Sequence, residues 1–153
     1  MIAVVGTVLL VGIAAAQEQP RASGLSDEMV QRYLMLGLQN MQRLRCDGDR
    51  PCAPASPQEL ASPPLSIVEA RAVMQRGILS GAAQHCGLDW RRRNFEPMMA
   101  HWRTRTRTSE RTMALIGVLH GIMQGQTQEA LAARAPCTDV NRANIDKQLA
   151  FRP

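Results

Sequence analysis

Glu110-Arg111-Thr112-Met113-Ala114-Leu115-Ile116-Gly117-Val118-Leu119-His120-Gly121-Ile122-Met123 is the stretch on which the fold turns. Met113, Leu115, Ile116, Leu119, Ile122 and Met123 recur at helical spacing and cover most of the helix circumference. A helix apolar on most sides must be surrounded, so this one is predicted to be the centre of an all-α bundle. Ser109 and Glu110 open it. The pattern fails over Gln124 to Gln128, which predicts a break there and a separate short helix over Glu129 to Arg134, ended by Pro136. Met113 to Met123 is eleven residues with a histidine inside. A membrane span needs about 20 apolar residues, so no transmembrane role is expected for it.

Gly117, Gly121 and Gly125 repeat every fourth residue, and Gly77 and Gly81 do the same upstream. A glycine inside a helix costs about 1 kcal/mol relative to alanine. Spacing four places each set on one ridge, where a missing side chain lets another backbone come close. The two glycine-bearing helices are therefore predicted to cross tightly through these faces.

Working outward, Ser66-Ile67-Val68-Glu69 has capping-box spacing and begins a helix that runs to about His85, with Gly87 placed to stop it. Ser26 caps an earlier helix expected over 27–45. Asp27 and Glu28 suit its dipole, and Val30, Leu34, Leu38, Met41 and Leu44 form its apolar face. Between them, 46–65 holds Pro51, Pro54, Pro57, Pro63 and Pro64, a density that predicts a long surface loop without regular helix. Pro97 suits the first turn of a short helix through Met98, Met99 and Trp102. Arg103 to Thr108 reads as a connector, and Thr138 caps a last helix over 139–150. The expectation is a small bundle of four to six helices. With aromatic residues at 3%, its core must be Leu, Ile, Val, Ala and Met.

Met1 to Ala16 carries no charge, ends in Ala14-Ala15-Ala16, and gives way to Gln17-Glu18-Gln19-Pro20. This reads as a signal peptide cleaved after Ala16, although no Lys or Arg precedes the apolar core. Residues 17–25 follow as a flexible lead, and 26–153 as a single helical domain. Export makes Cys46, Cys52, Cys86 and Cys137 an oxidised set. Asp47-Gly48-Asp49-Arg50-Pro51 can reverse the chain between Cys46 and Cys52, and Cys86 and Cys137 each end a helix, so Cys46–Cys52 and Cys86–Cys137 are the expected bridges. Spacings of 6, 34 and 51 contain no C-x-x-C and do not suit zinc or thiol redox chemistry. No cofactor and no metal is expected.

The net charge is +5, and 17 of the 18 basic residues are Arg, a bias typical of a GC-rich bacterial genome. Arginine is concentrated in Asp89 to Arg111, where Arg91, Arg92, Arg93, Arg103, Arg105, Arg107 and Arg111 face Asp89, Glu96 and Glu110 and interleave with Trp90, Phe95 and Trp102. Arg91, Arg92, Arg93, Arg103, Arg105 and Arg107, with Trp90 and Trp102, are candidates for binding an acidic protein, lipid or glycan surface. The competing reading is a solvated face whose Arg stems cover apolar neighbours. No nucleic-acid-binding motif is present. His85, His101 and His120 form no metal motif, and no G-x-S-x-G occurs. The expectation is a periplasmic or secreted, non-enzymatic binding or helper protein. The alternatives are an enzyme using His101 or His120 with a carboxylate, and a structural subunit of an envelope assembly.

Overall fold

The computed structural model describes residues 24–105 and 108–153. The expected signal at 1–16, residues 17–23 of the lead, and Arg107 lie outside the described residues. Six α-helices are present among those described, with no strand beyond a single bridge between Arg45 and Pro51.

Helix α1 (Asp27–Gln39) starts where Ser26 accepts the Met29 N–H and buries Val30, Leu34 and Leu38. It ends earlier than its apolar pattern suggests. Asn40 turns its amide back onto the Leu36 carbonyl at 2.9 Å, and a 3₁₀ turn over Met41–Arg43 carries Met41 into the core. The Cys46–Cys52 disulfide then closes the next turn, with the Cys46 N–H donating to the Arg50 carbonyl at 2.8 Å.

The Pro-rich segment is not free of helix. α2 (Pro57–Ala61) is one short helix with a complete capping box between Ser56 and Glu59 and with proline in its first turn. Proline lacks only an N–H that the first turn leaves unbonded anyway, so here it favours the helix start. Arg111 holds this segment to the rest of the fold. It donates to both Glu59 carboxylate oxygens, at 2.9 and 3.0 Å, and to the Pro54 carbonyl at 3.2 Å. The Arg111 hydrogen bonds, helped by the Ser56 N–H, pull the Glu59 carboxyl down to about 2.

α3 (Ile67–His85) opens on the Ser66–Glu69 capping box and ends at Gly87, whose φ of +66° suits a residue with no Cβ. α4 (Glu96–Arg103) carries Pro97 in its first turn, as expected. It continues from a π-helical turn over Arg91–Phe95. α5 (Glu110–Ala132) runs unbroken for 23 residues, so the expected break at 124–128 is absent. The polar residues there pack on other helices. Gln124 hydrogen-bonds Gln84 at 2.8 Å, and Gln126 accepts the Tyr33 hydroxyl at 3.0 Å. α6 (Asp139–Leu149) is capped by Thr138 and buries Leu149 against the bundle. The second disulfide, Cys86–Cys137, joins the end of α3 to the turn before α6.

α3 and α5 run side by side in the same direction, Gly77 lying against His120 and Gly81 against Gln124. A Cβ at Gly77 would strike the His120 carbonyl oxygen and come within 2.9 Å of the Met123 Cβ. One at Gly81 would strike the Gln124 carbonyl and come within 2.8 Å of the Thr127 Cβ. The approach is one-sided, which corrects the expected glycine-on-glycine crossing. A Cβ at Gly117 would meet only the Met99 tip at 4.0 Å, and one at Gly121 or Gly125 would meet nothing. Their ridge lies on another side of α5 from the His120–Gln124 row that α3 contacts. Instead Gly37 of α1 receives the Leu115 side chain, 2.8 Å from where its Cβ would stand.

Candidate functional site

The arginine segment begins with the π-turn, whose extra residue per turn directs Asn94 inward, where it is fully buried. Asn94 donates to the Arg76 carbonyl at 2.8 Å and to Ser80 Oγ at 2.7 Å, while Arg76 Nε donates to Asn94 Oδ1. Ser80 Oγ lies 3.0 Å from His120 Nε2, which ends a polar chain crossing from α3 to α5. The His120 ring is covered by Phe95 at 4.7 Å and by Trp90 at 6.1 Å. Trp90 therefore contributes its face to the interior.

Burial, reinforced by the Arg76 charge, lowers the His120 pKa to about 4. Its folded value lies below its unfolded one, so the unfolded chain takes the proton first as pH falls. Stability should then be lost between about pH 6.5 and pH 4, by roughly 3 kcal/mol from this group. Urea unfolding of the protein and of His120→Asn at pH 7, 5.5 and 4 checks this. The variant should show a much flatter dependence, and parallel slopes would contradict the assignment.

The arginines divide into two kinds. Arg93 pairs with Asp146 of α6, donates to its carbonyl at 3.1 Å, and accepts the Phe151 N–H on its own carbonyl at 2.9 Å. Arg93 and Arg111 are thus internal ties. Arg91 pairs with Glu96 and Arg92 with Asp89 while remaining 71% and 80% exposed, and Arg103 is exposed with no ion pair among the described residues. Arg105 lies over the Trp102 ring, 4.5 Å from its centroid, and pairs with Glu69 of α3 at 3.0 Å. Trp102 itself is buried.

Behind Trp102 a cleft of about 290 Å³ separates α3, α4 and the chain end. Its apolar surface comes from Val73, Met98, Trp102 and Phe151, and its charges from Glu69, Arg76, Arg105 and Arg152. A smaller hollow of about 240 Å³ opens on the other side of Trp102 and Arg105, toward Leu65 and Thr112. A third cleft, about 320 Å³, lies beside the Cys86–Cys137 disulfide with His85 and Arg134 on its wall. His101 borders the first cleft and packs against Phe151 at 5.6 Å. No carboxylate hydrogen-bonds His101 or His120 among the described residues, and no group of three metal-ligating side chains is found among them.

Of the residues singled out in the sequence, the cleft gathers His101, Trp102 and Arg105. It leaves Arg91, Arg92 and Arg103 on the outer surface and uses Trp90 in the interior. Arg76, Phe151 and Arg152 were not anticipated. Arg76 carried a readable signal, since it shares a helix face with Val73 and Ser80 and so interrupts an otherwise buried stripe. No protein-family model matches this chain, and no curated protein or solved structure matches it.

Proposed function

We propose that this chain is an exported, non-enzymatic binding or helper protein of a bacterial envelope, which engages an acidic partner surface through α4 and the turn before it. The observation that carries this reading is the clustering of Arg91, Arg92 and Arg103 on the exterior of one short segment, next to Arg105 on Trp102. Exposed ion pairs such as Arg92–Asp89 are screened by water and add little to stability, so these guanidinium groups exchange readily to an external anion. Two disulfides favour an oxidising compartment, in keeping with the signal-like first sixteen residues. No helix among the described residues is long and apolar enough to cross a membrane.

The test is binding to anionic phospholipid vesicles, to a sulfated glycan and to polyglutamate at rising salt. Binding should weaken steeply as the screening length shrinks from about 10 Å at 0.1 M to about 3 Å at 1 M. An Arg91→Gln, Arg92→Gln, Arg103→Gln triple variant should lose most of it. Arg93 is left in place because it ties α6. Salt-insensitive binding, or a triple variant that binds like the parent, would overturn the reading.

A further inference from the structure

We propose that the cleft between α3, α4 and the chain end binds a small amphiphilic carboxylate, an apolar chain or ring bearing one acid group. This names a ligand class for the arginine-bearing end of the molecule and rests on the reading above.

The argument begins with Arg76. Its guanidinium is partly withdrawn from water, yet all its hydrogen-bond partners among the described residues are neutral: Asn94 Oδ1, the Leu149 carbonyl at 2.8 Å and the Gln148 carbonyl at 3.5 Å. Desolvation lowers its proton affinity accordingly. A half-buried charge with no counter-ion is unfavourable, and an anion placed beside it relieves that penalty. Those three acceptors engage three of its five N–H groups. Phe151 lies against the guanidinium, 5.4 Å from carbon to ring centroid.

The remaining charges reinforce this polarity. Arg105 and Arg152 also border the cleft, and of its two acids Glu69 is engaged by Arg105 while the other is the terminal carboxylate of Pro153. Three guanidinium groups therefore face two carboxylates, and the cleft keeps an excess of positive charge. A planar carboxylate suits the paired N–H groups of arginine. Simple inorganic anions would leave the Val73, Met98 and Trp102 surface unused. At the rim Val68 is 72% exposed, and an apolar ligand body would cover it. The volume of about 290 Å³ admits a short chain or a single ring and excludes a folded polymer.

Isothermal titration calorimetry with dodecanoate below its micelle concentration is the test, with acetate and dodecyltrimethylammonium as comparison probes. Arg152→Gln and Val68→Asp change exposed side chains, and unaltered thermal melts would show that both still fold. Each should weaken dodecanoate binding about tenfold, the scale of one charge-assisted contact. Acetate should bind far more weakly than dodecanoate, and the cationic amphiphile should not compete. Affinity unchanged in both variants, or equal binding of the cation, would overturn the assignment. The Arg91, Arg92, Arg103 triple variant should keep dodecanoate binding while losing vesicles. A protein that binds vesicles through those arginines but ignores dodecanoate overturns the cleft alone and leaves the surface reading standing.

Discussion

Gly77→Ala is expected to lower the unfolding free energy by about 3 kcal/mol, and Gly77→Leu to abolish the cooperative transition. The added Cβ has no room, because what it meets is the backbone carbonyl of His120 and the first side-chain carbon of Met123, neither of which swings away. The helices would have to separate, and with them the Ser80–His120 hydrogen bond and the packing around Met74 and Leu119. Gly81→Ala should behave in the same way against Gln124. Gly121→Ala is the matched comparison. Nothing stands near its Cβ, so it should stabilise α5 by up to about 1 kcal/mol. Urea midpoints of the three alanine variants, and the loss of a transition in Gly77→Leu, decide the matter. Equal effects at Gly77 and Gly121 would mean that α3 and α5 do not meet as described.

Removing the long disulfide is the second large perturbation. Cys86→Ser with Cys137→Ser frees a loop of sequence separation 51. In the loop-entropy description this costs about 4 kcal/mol, against about 2.4 kcal/mol for Cys46→Ser with Cys52→Ser. For a chain of this size the first pair should lower the melting temperature by roughly 15 °C. α6 is the part most affected, because the bridge holds the turn before it, while Arg142 on the Cys86 carbonyl at 2.8 Å, Arg93 on Asp146, Arg76 on the Leu149 carbonyl and the buried Leu149 side chain anchor the rest of it. Calorimetry of the two double variants gives the order directly. A larger loss from the short bridge would contradict it.

Helix starts were legible because capping is local. Ser26, Ser66, Ser109 and Thr138 each accept an N–H three residues on, and each begins a helix. The same signature at Ser56-Pro57-Gln58-Glu59 was outweighed by proline count, although proline in a first turn is no obstacle. Helix ends were less legible. α5 passes through Gln124–Gln128 because Gln84 and Tyr33 satisfy those polar side chains, and both partners are distant along the chain. The π-turn depends on Asn94 being drawn toward Arg76 and Ser80, an attraction no local pattern shows.

The candidate site divides in the same way. His101, Trp102 and Arg105 stand within five residues and could be read as a group. Arg76 and Phe151 join them only when α3 and the chain end fold against α4. The arginine run was also not uniform in role. Burial and partner geometry convert Arg93 and Arg111 into internal ties and leave Arg91, Arg92 and Arg103 outside. That distinction sets which substitutions test binding without first loosening the bundle.

The whole functional reading depends on the chain leaving the cytosol with its sulfurs joined. Intact-mass measurement of the protein isolated from fractionated native cells, with and without reductant, tests this in one step. The expected species begins at Gln17 and becomes heavier on reduction by the hydrogen of two disulfides. A cytosolic product retaining Met1, with Cys46, Cys52, Cys86 and Cys137 all open to alkylation, would contradict it.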